Sequence, residues 1–206
     1  MFSEKNARAE AENYRRHGLD APSRHIVELL KARGLAGKTV LEVGGGVGAI
    51  QIELLKAGAA KAVGVELTPT YEAAARELVK EAGLDDLIER RVMDFAENGQ
   101  QVDPADIVVM NRVICCYPDM AKLAGMAADH ARHVLVMTFP KETWWIRLAL
   151  SGANFGFRVM RREFQVFVHS PSQIVATGEQ HGLRTVADRA GFFWQMIGLE
   201  RARELA

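Results

Sequence analysis

Cysteine is almost absent from this sequence of 206 residues, which has only the adjacent pair Cys115 and Cys116. Neighbouring residues of a strand point to opposite faces of the sheet, so a bridge between these two would be strained. The sequence therefore shows no disulfide framework, and it shows no spacing of cysteine and histidine typical of a metal site. This use of cysteine suits a reducing compartment, and we expect a cytoplasmic protein without a bound metal.

Long apolar runs and an excess of charge of one sign are also missing. The first residues, Met1 to Asn13, are polar and charged, so we expect no signal peptide, and no apolar run is long enough to span a membrane. Lysine plus arginine number 26, as do aspartate plus glutamate. Because nucleic-acid-binding proteins usually carry a basic excess, we expect a small-molecule substrate rather than DNA or RNA.

Short apolar segments alternate with amphipathic ones through most of the sequence. Strands are predicted at 39–43, 62–66, 88–92, 106–110 and 133–138, with a helix following most of them. This alternation predicts an α/β doubly wound fold, with a parallel sheet and helices on both faces. Two closing strands, 183–190 and 193–199, are joined at Gly191 and must therefore pair antiparallel. The length fits a single domain over residues 1–206, in which residues 1–36 form N-terminal helices.

The alternation stops after Pro140. Residues 141–162 lie where a lid over a substrate would insert, and they carry five lysines and arginines against one acidic residue. We expect Trp145 and Arg158 of this lid-like insertion to contact an acidic or aromatic substrate. The alternatives are an amphipathic helix pair packed on the sheet and a contact within a homodimer. Residues 164–169 are predicted to form a strand, and Ser170 is predicted to open the next helix with a capping box.

A glycine-rich segment, Glu42-Val43-Gly44-Gly45-Gly46-Val47-Gly48, follows the first strand. Glycines at this place let the backbone approach a ligand closely, and ligands of open α/β sheets bind at the carboxyl ends of the strands. Gly44-x-Gly46-x-x-Ala49 also fits a dinucleotide fingerprint, so an NAD(P)-dependent oxidoreductase stays open. Glu42 favours another cofactor, because a carboxylate repels a pyrophosphate and attracts the ammonium and sulfonium groups of S-adenosylmethionine.

Two further carboxylates follow the next two predicted strands. Glu66 lies about twenty residues after the glycine segment, where an acidic side chain can accept both ribose hydroxyls of an adenosine. Asp94 precedes Phe95, so the carboxylate can accept from the adenine amino group while the ring packs on the base. The alternatives are a solvated charge at Glu66 and an ordinary turn aspartate at Asp94.

These segments, together with Asn111-Arg112-Val113-Ile114-Cys115-Cys116-Tyr117-Pro118, resemble class I S-adenosylmethionine-dependent methyltransferases over about residues 38–200. The resemblance implies a Rossmann-like sheet of seven strands, mostly parallel, with one antiparallel hairpin strand at the edge. It implies that the cofactor is bound by Glu42, Gly44, Gly46, Gly48, Glu66, Leu67, Asp94, Phe95 and Asn111. Residues 115–118 and 164–169 also resemble a bacterial branch grouped with magnesium-protoporphyrin O-methyltransferases.

The reaction expected from the resemblance is methyl transfer to a small molecule, with oxygen as the expected acceptor atom. Such a displacement mainly needs alignment in a dry site, and a base is needed only if the acceptor must lose a proton. The candidates for that base are His169, Tyr117 and Asp119, although His169 could instead order its turn and Tyr117 could pack on the sheet. No paired prolines follow Asn111 to shape a slot for a flipped base. A cofactor-binding module without catalytic activity is the remaining alternative.

Overall fold

The computed structural model describes residues 3–159 and 165–202 and has seven strands in one sheet. The strands are β1 (Thr39–Val43), β2 (Lys61–Glu66), β3 (Ile88–Val92), β4 (Ala105–Asn111), β5 (Ala131–Pro140), β6 (Leu183–Ala190) and β7 (Trp194–Arg201). The α-helices are α1 (Glu4–His17), α2 (Ala21–Ala32), α3 (Ala49–Lys56), α4 (Glu72–Glu81), α5 (Phe95–Asn98), α6 (Met120–His130), α7 (Trp144–Val159) and α8 (Pro171–Gln180).

The strand order is β3-β2-β1-β4-β5-β7-β6, and it reverses between β1 and β4. Strands β1 to β5 pair in parallel, and β7 pairs antiparallel with both β5 and β6. The doubly wound, Rossmann-like sheet predicted from the sequence is therefore confirmed. The antiparallel strand β7 lies one place in from the edge, and β6 is the edge strand.

The core has a layer on each face of the sheet because successive strand residues point to opposite faces. On one face, Leu41 and Val108 pack with residues of α5, α6 and α8. On the other face, Val40 and Ile107 pack with residues of α2 and α3. The strands are thus fixed from both sides, which gives their carboxyl ends a rigid support.

The N-terminal helix α1 lies against α3 and α4, beside the loop that follows β1. Its buried residues Ala7 and Ala11 pack with Val47 and Tyr71. The Tyr14 hydroxyl donates to the Glu53 carboxylate over 2.6 Å. A helix that is mainly polar in sequence is thus held by a narrow stripe of small residues and by ion pairs near its C-terminus.

Two local predictions were wrong. Of the strand predicted at 164–169, residue 164 lies outside the described residues, and 165–169 form no strand. The segment is held instead by the Asn154 side chain, which bonds both backbone groups of Val166. Ser170 does precede α8, but its hydroxyl lies 2.9 Å from that of Ser172 and does not cap the helix. Cys115 and Cys116 lie in a 3₁₀ turn after β4, with their sulfur atoms 3.8 Å apart.

Of the lid-like insertion, residues 141–159 are described and contain one long helix, α7. Residues 160–162 lie outside the described part. In the described part, no helix combines the length and the apolar character that crossing a bilayer requires.

The difference in burial between two leucines predicts a contrast between their substitutions. Leu135 of β5 has no exposed surface, whereas Leu148 of α7 is 67% exposed. We expect Leu135→Ala to lower the free energy of unfolding by about 2–5 kcal/mol, since it leaves a cavity. We expect Leu148→Ala to change it by less than about 0.5 kcal/mol. Urea denaturation of both variants measures this, and equal losses would contradict the assignment of the core.

Candidate functional site

A cavity of about 650 Å³ opens at the carboxyl ends of β1, β2 and β4, next to the point where the strand order reverses. Its volume falls in the range of small-molecule sites. The lining comes from α1, the start of α2, the loop after β1, the segments after β2, β3 and β4, and the start of β7. The position is the one at which open α/β sheets bind their ligands.

The glycine segment after β1 forms one wall of the cavity. Gly44 and Gly46 have φ angles of 66° and 56°, which side chains rarely tolerate. A Cβ atom at Gly44 would lie 2.5 Å from the Val113 side chain, and one at Gly45 would overlap the Glu42 carboxyl group. The loop therefore needs glycine for its backbone and for its packing. Gly48, predicted with the cofactor residues, precedes α3 outside the cavity lining.

Glu42 places a buried carboxyl group at the wall of the cavity. The residue is 1% exposed, and its Oε2 atom has no hydrogen-bond partner among the described residues. Burial raises the pKa of Glu42 to about 8, although the nearby Arg90 guanidinium favours the charged form. A buried carboxyl oxygen without a hydrogen-bond donor costs free energy, so this position fits a cationic or donor group of a ligand.

Two more carboxylates meet the same glycine loop. Glu66 accepts from the backbone N–H of Gly46 over 3.0 Å and from that of Leu67 over 2.9 Å. Glu10 reaches the loop from α1, and burial raises its pKa. The sequence interpretation missed Glu10, because a polar helix 32 residues before Glu42 gives no sign that it will cover this loop. Three carboxyl groups around one loop suit a pyrophosphate poorly, because its negative charge would disfavour their ionised forms.

Asp94 caps a helix and also lines the cavity. Its Oδ1 atom caps α5 by accepting from the N–H of Ala96 over 3.0 Å, and the residue also lines the cavity. The Tyr117 hydroxyl donates to Asp94 over 3.1 Å. Phe95 is only 3% exposed, and its ring packs edge-on against His130 at 5.1 Å between centroids. Most of the surface of the Phe95 ring is therefore buried in the core.

The end of β4 carries a second set of polar groups, starting at Asn111. The Asn111 amide donates to the Ser23 hydroxyl over 3.2 Å and accepts from the Thr138 hydroxyl over 2.6 Å. These bonds fix Asn111 between α2 and β5. The side chain is therefore held in place at the cavity wall by partners that are far apart in the sequence.

Arg112 is the single lysine, arginine or histidine among the described residues that line the cavity. It has a φ angle of 62°, a conformation that is uncommon outside glycine and found at functional sites. Its guanidinium group pairs with Asp20 and lies 4.8 Å from the centroid of the Trp194 ring. The sequence interpretation missed Arg112, Asp20 and Trp194. Arg112 could have been predicted because it follows Asn111 directly in the sequence, whereas nothing in the sequence linked Trp194 to this cavity.

The candidate bases are not free in this structure. Burial and the Asp94 carboxylate raise the pKa of Tyr117 to about 12, so its hydroxyl stays protonated near neutral pH. His169 lies outside the cavity lining, with Nε2 3.1 Å from the Tyr117 carbonyl oxygen and its ring stacked on Phe167. Asp119 caps α6 by accepting from the N–H of Lys122 over 3.0 Å.

The two residues predicted to contact the substrate also lie outside the cavity lining. Trp145 packs on Phe192 and Phe193, and Arg158 is exposed near the end of α7. Leu150 is the residue that α7 contributes to the cavity. Both cysteines, Cys115 and Cys116, line the cavity as well. No cluster of metal-binding side chains occurs in residues 3–159 and 165–202.

Sequence comparison gives one family and a group of distant relatives. Residues 14–192 match the family described as "Methyltransferase domain". A segment of 106 residues is 36% identical to the ribosomal protein L11 methyltransferase of Aeromonas hydrophila. That match covers 52% of this chain and 34% of the relative, so the chain aligns with about a third of that protein.

Solved structures of methyltransferases share the fold at low sequence identity. The magnesium protoporphyrin IX methyltransferase of Synechocystis PCC 6803, with bound S-adenosylhomocysteine, is 19% identical with a TM-score of 0.73, over 88% of this chain and 82% of that one. An O-methyltransferase family protein from Burkholderia thailandensis is 18% identical with a TM-score of 0.71, over 98% of this chain and 63% of that one.

The family match covers most of the chain, and the strand order, the glycine loop and the position of the cavity agree with it. The chain therefore belongs to the methyltransferase domain family and has the Rossmann-like fold of the class I S-adenosylmethionine-dependent methyltransferases.

Proposed function

We propose that this protein transfers a methyl group from S-adenosyl-L-methionine to an oxygen atom of a small acidic or aromatic molecule. The observation that carries the cofactor assignment is the buried Glu42 carboxyl group at the wall of the cavity, whose Oε2 atom lacks a hydrogen-bond partner among the described residues. A ligand with an ammonium or sulfonium group satisfies it through a charge-assisted hydrogen bond or a close ion pair. The family and the fold support the same cofactor.

The carboxylates divide the cavity into a cofactor side and an acceptor side. Glu42 and Glu10 would face the methionine part of the cofactor, Glu66 and Leu67 the ribose, and Asp94 the adenine. To bind these groups, Glu66 and Asp94 exchange or share the donors that they hold in the free protein. Asn111 and Arg112, at the end of β4, would border the acceptor.

The bound cofactor supplies an electrophilic methyl group, so the protein residues mainly have to position the acceptor and exclude water. Asn111 is held rigidly by Ser23 and Thr138, which keeps the wall beside the acceptor in place. Arg112 offers a positive charge on the acceptor side, and the Trp194 ring beneath it offers a flat apolar surface. These two residues support an acceptor that is anionic, aromatic or both.

An NAD(P)-dependent oxidoreductase is disfavoured, because a pyrophosphate at this loop would lie beside Glu66 and would disfavour the ionised forms of Glu10 and Glu42. A cofactor-binding module without catalysis would show binding without turnover. A screen with radiolabelled S-adenosylmethionine against a metabolite extract tests for turnover, and ribosomal protein L11 belongs in it as a second acceptor. Labelling of L11 alone would contradict a small-molecule acceptor, and a lack of any labelled product would favour the non-catalytic alternative.

The Glu42 Oε2 atom without a partner predicts how Glu42→Gln changes the affinity for the cofactor. Hydrogen bonds to charged groups contribute about 1.5–3 kcal/mol, so we expect the dissociation constant of S-adenosylmethionine to rise about 10- to 150-fold. Isothermal titration calorimetry measures it, with Glu28→Gln on the exposed face of α2 as the matched control. An unchanged affinity in Glu42→Gln, or tight binding of NAD by the unaltered protein, would contradict the cofactor assignment.

The raised pKa of Glu42 also predicts how cofactor binding depends on pH. The carboxyl group, with a pKa of about 8, is mostly protonated at neutral pH, and a cationic ligand favours its ionised form. Binding should therefore release a proton, and affinity should rise with pH up to about 7.5, above which the ligand's own amino group begins to lose its proton. Calorimetry in buffers of different ionisation enthalpy counts the proton. Glu42→Gln should remove this rise, and an equal rise in the variant would contradict the assignment.

Arg112 and Arg158 are rival candidates for recognition of the acceptor's charge. We expect Arg112→Gln to raise the Michaelis constant for an anionic acceptor by about 10- to 100-fold, which corresponds to losing one charged hydrogen bond. The dissociation constant of the cofactor should stay within about twofold, and Arg158→Gln should change neither value if Arg112 holds the acceptor. Steady-state kinetics with an acceptor found in the screen measures both constants. If Arg158→Gln raised the Michaelis constant and Arg112→Gln did not, Arg158 of α7 would be the residue that binds the acceptor.

A further inference from the structure

Helix α7 presents an apolar stripe to solvent. Its members are Trp144, Leu148, Phe155 and Val159, whose exposed fractions lie between 67% and 77%. At 3.6 residues per turn these four positions fall within an arc of about 60° on one side of the helix. Several large apolar side chains exposed along one side of a helix usually mark an interaction site.

The opposite side of α7 faces the protein. Ile146 has no exposed surface, and Leu150 lines the cavity. Trp145 packs on Phe192 at 5.2 Å between ring centroids, which joins the helix to the turn between β6 and β7. Phe192 itself is 85% exposed, so the turn adds a further aromatic ring beside the helix. The four residues of the stripe therefore contribute little to the packing of α7 against the described part of the chain.

Positive charge is concentrated in the same segment. Residues 141–162 carry five lysines and arginines and a single acidic residue, Glu142, whereas the whole chain has no net charge. The remainder of the chain is therefore net acidic. Arg147 and Arg158 are eleven residues apart, about three turns, so both lie along the same border of the stripe. An apolar stripe of Trp, Leu and Phe with arginines along its border is typical of helices that lie in a membrane interface.

We propose that α7 and Phe192 form a docking surface for an anionic lipid membrane, on which the protein binds peripherally. The rings and aliphatic side chains enter the boundary between headgroups and acyl chains, and the arginines approach the lipid phosphates. The acidic remainder of the chain is repelled by the same lipids, so charge orients the molecule with α7 towards the membrane. Since Leu150 lies on the inner side of this helix, the cavity then opens close to the lipid surface.

The test is sedimentation of the full chain with lipid vesicles, followed by the change in tryptophan fluorescence. We expect binding to vesicles that mix phosphatidylglycerol with phosphatidylcholine, weak binding to phosphatidylcholine alone, and loss of binding as salt is raised. Arg147→Gln with Arg158→Gln should lower the partition coefficient about 25-fold, since each arginine near an anionic surface contributes about fivefold. Equal binding to both kinds of vesicle, or no binding to either, would overturn the proposal.

A pair of apolar variants separates the membrane from a second copy of the chain. Leu148→Gln with Phe155→Gln should abolish vesicle binding, whereas Leu87→Gln, at a site that is 38% exposed in the turn before β3, should not. Calorimetric binding of S-adenosylmethionine confirms that each variant is folded and tests the cofactor assignment separately. If light scattering showed a dimer that the α7 double variant converts to a monomer, without any binding to vesicles, the stripe would be a subunit contact and the proposal would be wrong.

Discussion

The central constraint in this molecule is the burial of acidic side chains around a loop of glycine. Glu42 is the last but one residue of β1 and points to a place where its Oε2 atom finds no donor. The glycine at position 45 leaves room for that carboxyl group, and Glu10 and Glu66 approach the same loop from α1 and β2. Such an arrangement is costly in the free protein, and a cationic ligand relieves the cost.

Much of the surrounding structure keeps this constraint in place. The core layers on the two faces of the sheet fix β1, β2 and β4, and α1 closes one side of the cavity through its small residues and the bond between Tyr14 and Glu53. Glu66 ties the backbone of the glycine loop to the end of β2. The ligand-binding groups thus lie on rigid elements, as a reaction that depends on alignment requires.

The part of the cavity proposed to hold the acceptor is built from parts of the chain that are remote from one another. Arg112 after β4 pairs with Asp20 before α2 and stacks near Trp194 at the start of β7. Among the described lining residues, Arg112 is the single cation, and in the free protein Asp20 pairs with it. The proposed function uses this charge to bind an anionic acceptor. Helix α7 contributes Leu150 to the cavity and turns its apolar stripe outwards, so the proposed docking surface would lie next to the proposed acceptor site.

The sequence by itself determined the five parallel strands, the closing pair of strands and the positions of Glu42, Glu66 and Asp94 after or at the ends of strands, because apolar periodicity and glycine after a strand report local structure directly. The residues after strands β1 to β4 could be placed together, since parallel strands end at the same edge of the sheet. The roles expected for Trp145, Arg158 and His169 in substrate binding or catalysis remain predictions, and the structure places all three outside the cavity lining.

Only the tertiary structure decided that Glu10, Asp20 and Trp194 line the same cavity, because they lie far apart in the sequence and no local pattern encodes their meeting. The strand predicted at 164–169 failed for a related reason. A strand needs a partner strand, and there the backbone of Val166 is bonded by the side chain of Asn154. Periodicity reports which side of a segment is apolar, whereas what covers that side depends on the packing of the whole chain.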